Sequence, residues 1–327
     1  MSKPYVVGVD VGGTNTVFGI VNSGGQILYR GSMKTLTDDK VETFVENLYE
    51  TLWPIIMEAG GPLNILGIGV GAPDANYFTG LMENPSNFPW GSFIPLARLI
   101  RDRFNIPTVI TNDANAAAQG EMTYGVARDM RDFIMITLGT GVGSGIVVNG
   151  EVVLGSDGFA GELGHVIMRR ENGRPCGCGR TGCLEAYASA TGVSRTAKEL
   201  LENSDAPSLL RELDINTITS KDVHEAAKQG DSIALQIFEE TGKILGEAFA
   251  DFVAFSSPEA IVLFGGLTKA GEFIRRPIKE HMEANMLANY KNKVKILFSE
   301  LKESDAAVLG ASSLGWKASE WVPTPNK

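Results

Sequence analysis

Tyr5-Val6-Val7-Gly8-Val9-Asp10 and Asp132-Phe133-Ile134-Met135-Ile136-Thr137-Leu138 are the two stretches whose reading decides the fold. Each is a β-branched, apolar run that meets a glycine turn, Gly12-Gly13-Thr14 in the first case and Gly139-Thr140-Gly141 in the second. A second strand-like run follows each turn, Val17 to Val21 and Val142 to Val148. A second turn then leads into a third run: Ser23-Gly24-Gly25 before Gln26 to Tyr29, and Asn149-Gly150 before Glu151 to Leu154. Asn-Gly between such runs is a type I′ hairpin signal. Strand, turn, strand, turn, strand therefore occurs twice, which predicts two α/β halves of similar topology with a cleft between them.

Working outward, Val41, Phe44, Val45, Leu48, Leu52, Ile55 and Ile56 recur at helical spacing and predict a helix over 39–59. Ile65 to Val70 reads as a buried strand, and 72–92, rich in Pro, Gly, Asn and Ser, as loop. Leu96 to Phe104 reads as a short amphipathic helix, and Thr108 to Thr111 as a strand ending at Asn112-Asp113. Ala114 to Tyr124 is Ala-rich and helical, and Ala260 to Phe264 is a strand running into Gly265-Gly266. Asp305 to Ser319 is a further Ala-rich helix, and the tail from Trp321 to Pro325 is expected to fray.

The 327 residues suggest about two domains at roughly 150 residues each. Lys and Arg number 29 against 39 Asp and Glu, a net charge of −10 without a basic block. That balance argues against nucleic-acid or anionic-membrane partners, while a small anionic ligand needs only a local site. No apolar run is long enough for a transmembrane helix, and the N-terminus lacks the pattern of a signal peptide, so a cytoplasmic location is expected.

Four groups of residues carry chemistry. In Asp10-Val11-Gly12-Gly13-Thr14-Asn15 a carboxylate ends a strand beside exposed amides and a hydroxyl, and Leu138 to Gly145 offers the same amide-rich turn from the second half. Such turns form anion-binding nests. Neither matches the P-loop pattern, and neither opens a helix as a dinucleotide fingerprint does. Asn112-Asp113 reads either as the N-cap of the following helix or as a general base at a strand end, and both hold if Asn112 caps while Asp113 points into the cleft. His165, Cys176, Cys178 and Cys183 follow the spacing His-x10-Cys-x-Cys-x4-Cys and include every cysteine of the chain. Four such ligands suit tetrahedral Zn²⁺ in a closed, structural site. Glu162 and Glu185 flank this cluster, and carboxylates accept well from sugar hydroxyls.

Taken in order, these pieces, with Gly161-Glu162-Leu163-Gly164-His165 and Phe264-Gly265-Gly266, make the chain resemble the ROK family of repressors and sugar kinases across nearly its whole length. Within that family it is most similar to the bacterial ATP-dependent glucokinases. The resemblance implies a two-domain hexokinase/actin-like fold of duplicated ribonuclease-H-like type, with an interdomain cleft. It implies an N-terminal domain over 1–113, completed by a C-terminal helix over 305–321, and a second domain over 114–304 that carries the zinc loop.

It further implies that Asp113 takes the proton from the sugar 6-hydroxyl. Asn87, Asn112, Glu162, His165 and Glu185 become sugar contacts, with His165 serving also as a zinc ligand. Gly12, Gly13, Thr14, Thr140, Gly141, Gly265 and Gly266 become the ATP site, and Asp10 the residue that positions Mg²⁺. Glucose is the expected substrate, with N-acetylmannosamine, N-acetylglucosamine and fructose as alternatives, and a homodimer or homotetramer the expected assembly. Two other classes compete. A DNA-binding regulator is disfavoured by a first strand beginning at Tyr5 and by the acidic balance. A non-catalytic ATP-binding protein would not require the Glu162/His165/Glu185 group or the metal cluster.

Overall fold

The structure, a computed structural model, describes residues 3–36, 39–85 and 88–324. Its elements begin with β1 (Tyr5–Val11), β2 (Asn15–Asn22), β3 (Ile27–Lys34), α1 (Val41–Glu58), β4 (Ile65–Gly71), β5 (Met82–Glu83) and β6 (Phe93–Ile94). There follow α2 (Leu96–Phe104), β7 (Thr108–Thr111), α3 (Asp113–Tyr124), β8 (Phe133–Leu138), β9 (Val142–Val148), β10 (Glu151–Val152), α4 (Glu185–Ala188) and α5 (Ala190–Glu202). The chain continues with α6 (Ser220–Lys228), α7 (Ser232–Ser256), β11 (Ala260–Phe264), α8 (Glu272–Asn285), β12 (Lys295–Phe298) and α9 (Glu303–Gly315).

One five-stranded sheet has the order β3-β2-β1-β4-β7 and a second the order β10-β9-β8-β11-β12. In the first, β1 and β2 pair antiparallel, as do β2 and β3, while β1, β4 and β7 run parallel. In the second, β8, β11 and β12 run parallel and β9 and β10 are antiparallel. The repeat read from the sequence is thus a repeat of sheet topology. Asn149 and Gly150 both hold positive φ (54° and 81°), as a type I′ turn requires. The segment expected to be loop over 72–92 holds β5, which pairs with β6.

The chain divides into two compact units, one of Met1–Met130, Gly145–Gly161 and Glu300–Lys327, the other of Arg131–Ser144 and Glu162–Ser299. These bounds differ from the expected break after residue 113, and the reason is α3. Its small residues pack on α9, where a Cβ on Gly120 would lie 2.8 Å from the Gly310 Cα. The helix therefore stays with the first sheet. α9 itself lies directly on β1 and β4 because Gly8 and Gly69 present no side chain. A Cβ there would meet the carbonyl oxygens of Val308 and Ala311 at 2.1 and 1.9 Å.

The first unit's core joins α1, through Phe44, Leu48, Leu52 and Ile56, to Val7, Val9, Ile68 and Ile110 of the sheet. The tail is ordered at Trp321, contrary to the expectation of fraying. Its indole donates to the Tyr77 carbonyl at 3.0 Å and its ring packs against that of Tyr77.

Candidate active site and metal centre

In the first unit, three strands end side by side. Parallel pairing sets Asp10 of β1 opposite Gly71 of β4, and Gly71 opposite Thr111 of β7. At those ends or just past them stand Asp10, Asp74 and Asp113. Asn112 is the N-cap of α3, its side chain accepting from the Ala114 N–H at 2.8 Å. Asp113, the first helical residue, accepts from the same N–H at 2.7 Å. Asn112 thus caps the helix, and the Asp113 carboxylate shares the same N–H.

Asp113 keeps solvent-accessible surface, yet protein atoms crowd its carboxylate, and this desolvation raises its pKa against the Ala114 hydrogen bond. Burial and then the charge of Asp113 push Asp10 up to about 7. Burial and Asp113 likewise raise Asp74. Ionised carboxylates this close repel one another, and a hard divalent cation with oxygen ligands would relieve that repulsion and keep Asp10 ionised. The donor set thus fits Mg²⁺.

The turn after β1 is braced from beneath. Thr35 donates its hydroxyl to the Gly12 carbonyl at 2.6 Å and meets the Thr16 hydroxyl at 3.0 Å. Neither Gly12 nor Gly13 has positive φ, but a Cβ on Gly12 would stand 2.8 Å from the Asn15 carbonyl oxygen, so the turn leaves no room for a side chain there. Gly13 would meet nothing with an added Cβ, which leaves the backbone open to a ligand. Thr14 is exposed at the tip.

In the second unit, the Gly139-Thr140-Gly141 turn joins β8 to β9. Glu185, the first residue of α4, reaches beneath it, accepting from the Val142 N–H at 2.9 Å. Its other oxygen lies 3.5 Å from the Cys176 Sγ. A Cβ on Gly141 would stand 2.5 Å from the Glu185 carboxylate, so glycine is needed for this approach. Gly265 ends β11 beside the same turn, with φ 109° and its Cβ position 2.6 Å from the Leu138 carbonyl. Its own carbonyl accepts from the Thr268 N–H and hydroxyl at 3.0 and 2.7 Å, and Gly266 opens the short helix that follows.

His165, Cys176, Cys178 and Cys183 converge, their ligand atoms all within 4.8 Å of one another. The Cys178 and Cys183 sulfurs are 3.7 Å apart, and Cys176 Sγ lies 3.7 Å from His165 Nδ1. A zinc tetrahedron with Zn–S bonds of about 2.3 Å has edges of about 3.8 Å, so the four donors fit that ion. Burial pushes the Cys176 thiol up to about 12. Burial also opposes ionisation of Cys178, yet hydrogen bonds from the Arg180 backbone and side chain outweigh it and bring that thiol down to about 6. Arg180, absent from the sequence reading, also donates to the His165 carbonyl at 3.0 Å. With His165 Nδ1 facing the sulfurs, its Nε2 faces Glu162, at 4.0 Å.

Residues 6–318 match the ROK family. The chain is 37% identical to a glucokinase of Halalkalibacterium halodurans, over 97% of this chain and 95% of that one. It is 33% identical to a glucokinase of Thermotoga maritima, over 96% and 98%. The chain belongs to the ROK family. Its fold is also that of a ROK glucokinase from Streptomyces griseus solved with glucose and AMPPNP. That match has a TM-score of 0.77 and 31% identity, and covers 95% of this chain and 98% of that one.

Against this ROK frame, the expected site residues fall into two groups by unit. Asp10, Gly12, Gly13, Thr14, Asn112 and Asp113 lie in the first unit, and Thr140, Gly141, Glu162, His165, Glu185, Gly265, Gly266 and the three cysteines in the second. Asn87 lies outside the described residues. Asp74 was missed, although Gly71-Ala72-Pro73-Asp74 follows β4 as Asn112-Asp113 follows β7. The available signal was a third carboxylate just past a third parallel strand.

Proposed function

We propose that this ROK protein transfers the γ-phosphoryl group of ATP to the 6-hydroxyl of glucose, with Asp113 as general base. The observation that carries this reading is the Asp113 carboxylate. It stands at the end of β7 with one short contact to a backbone N–H, and its pKa is raised by its surroundings. A base must be ionised yet basic enough to take a hydroxyl proton, and a raised pKa supplies that balance.

Phosphoryl transfer needs positioning and charge neutralisation rather than covalent help from the protein. In this reading, the amides of Gly12, Gly13 and Thr14, and of Thr140, Gly141, Gly265 and Gly266, hold the nucleotide. Asn112, Glu162, His165 and Glu185 orient the sugar hydroxyls, and Asn87 adds a further contact. Asp10 holds Mg²⁺, which would neutralise the phosphate oxygens. Cys176, Cys178, Cys183 and His165 would hold zinc, and a His165 ring bound through Nδ1 would carry its proton on Nε2. Glu185 links that centre to the Gly141 turn through its two contacts.

The test is ADP release from Mg-ATP across hexoses and N-acetylhexosamines. The expected result is a clear maximum of kcat/KM for glucose. A maximum for N-acetylmannosamine, N-acetylglucosamine or fructose would replace the substrate while keeping the base. No turnover with any sugar would overturn the reading.

A further inference from the structure

The first unit contains a recess of about 110 Å³ that none of the residues assigned above lines. Its wall comes from one face of β7, where Val109 and Thr111 project together, and from Asn115 and Gln119, one turn apart on α3. α9 closes another side with Leu314.

Three polar side chains here, those of Asn115, Thr111 and Gln119, are uncommitted, whereas Ser313 donates to the Gly310 carbonyl at 2.6 Å. The Asn115 side chain is 5% exposed and its Oδ1 is buried without a hydrogen-bond partner. Leaving a buried amide unmatched costs about 1–3 kcal/mol, so such a group calls for a partner. The Thr111 hydroxyl and the Gln119 amide also make no hydrogen bond among the described residues. Tyr77 brings a phenol whose pKa is raised by burial and then by Glu151. The rim charges, Glu151 and Lys317, face each other at 3.7 Å and offset one another.

This chemistry selects a ligand class. An anion would meet Glu151 at the mouth, and a cation would meet Lys317. Amides and hydroxyls set among Val109, Val152 and Leu314 match a neutral molecule whose hydroxyls both donate and accept and whose C–H groups cover the apolar wall. We propose that the recess is a second small-molecule site, for an uncharged polyhydroxylated ligand no larger than a monosaccharide. Such a ligand would rest on α3, the helix that begins with Asp113.

The test does not depend on the kinase reading, because its readout lies at Asn115 and Gln119 themselves. D-xylose, D-ribose, xylitol and myo-inositol are titrated into the protein with and without excess glucose, and the side-chain amide signals of Asn115 and Gln119 are followed by NMR. Adenine serves as a planar, non-hydroxylated control. The expected result is that at least one polyol shifts both signals saturably in the millimolar range or below. Gln119→Leu should weaken that binding about ten-fold, the worth of one or two hydrogen bonds. Thr111→Val gives a second variant, which keeps the shape of the wall should Gln119→Leu fail to fold.

Three outcomes would overturn the proposal. No polyol shifts the signals at tens of millimolar, which leaves the recess to water. A polyol binds with unchanged affinity in Gln119→Leu and Thr111→Val, which places it elsewhere. Adenine binds while every polyol is silent, which makes the ligand class wrong.

Discussion

The two sheets share one topology, yet their strand ends carry opposite chemistry. Where β1, β4 and β7 end, the chain places Asp10, Asp74 and Asp113, three carboxylates whose pKa values burial raises, with the charge of Asp113 adding to the effect at Asp10 and Asp74. Where β8 and β11 end, it places glycine turns, with a Cys/His cluster tied beneath one of them by Glu185. The fold sets where strand ends lie, and the residues placed there decide what each end does. Under the proposed function, the first set would serve proton transfer and cation binding. The second would serve backbone contact with phosphate and a metal that holds a loop.

That contrast can be broken by changing one end at a time. Asp10→Asn should lower kcat about 10²-fold or more by removing the carboxylate proposed to hold Mg²⁺, yet raise stability. The sign follows from the raised pKa. Between about pH 4 and 7 the folded protein holds a proton on Asp10 that the unfolded chain releases, so the group's destabilising effect grows as pH rises and is full above about 7. A melting temperature above wild type by a few degrees at pH 8, and near wild type at pH 4, is the expected result; an unaltered pH dependence would contradict it.

Cys178→Ser tests the other end. Wild type should hold about one zinc per chain by elemental analysis, and the variant should lose it along with several degrees of thermal stability. A zinc-free wild type that is folded and fully active would break the metal half of the contrast.

A smaller effect sharpens it. Arg30 and Asp305 form an ion pair at 2.5 Å between β3 and α9, and the hydrogen bond from Arg30 holds the carboxyl down at about 2. That contribution is present above about pH 4 and is lost as pH falls through about 2. Arg30 is half exposed, so Asp305→Asn should cost less than about 1 kcal/mol at pH 7, measured by denaturant titration.

Most of the candidate site was legible because each motif is local. Asp10 with its glycine turn, Asn112-Asp113 and the cysteine cluster are each read within a few residues. Asp74 was not legible, since its approach to Asp113 depends on the parallel register of β4 with β7, and its neighbours read only as loop. Asn115 read as one residue of an Ala-rich helix, and its unmet amide appears only once β7 and α9 surround it. Trp321 looked like frayed tail because its partner, the Tyr77 carbonyl, lies 244 positions away. The fold was legible through its repetition, whereas the boundary between units was not. That boundary depends on glycine contacts between α3 and α9, which no local pattern announces.

The most direct test of the acidic strand ends is Asp113→Asn, with kcat for glucose and Mg-ATP measured beside zinc content and melting temperature. The expected result is a kcat lower by about 10²–10⁴-fold, with zinc retained and stability equal to or above wild type. Turnover within about two-fold of wild type would remove Asp113 from the mechanism and contradict the division of chemistry between the two sheets.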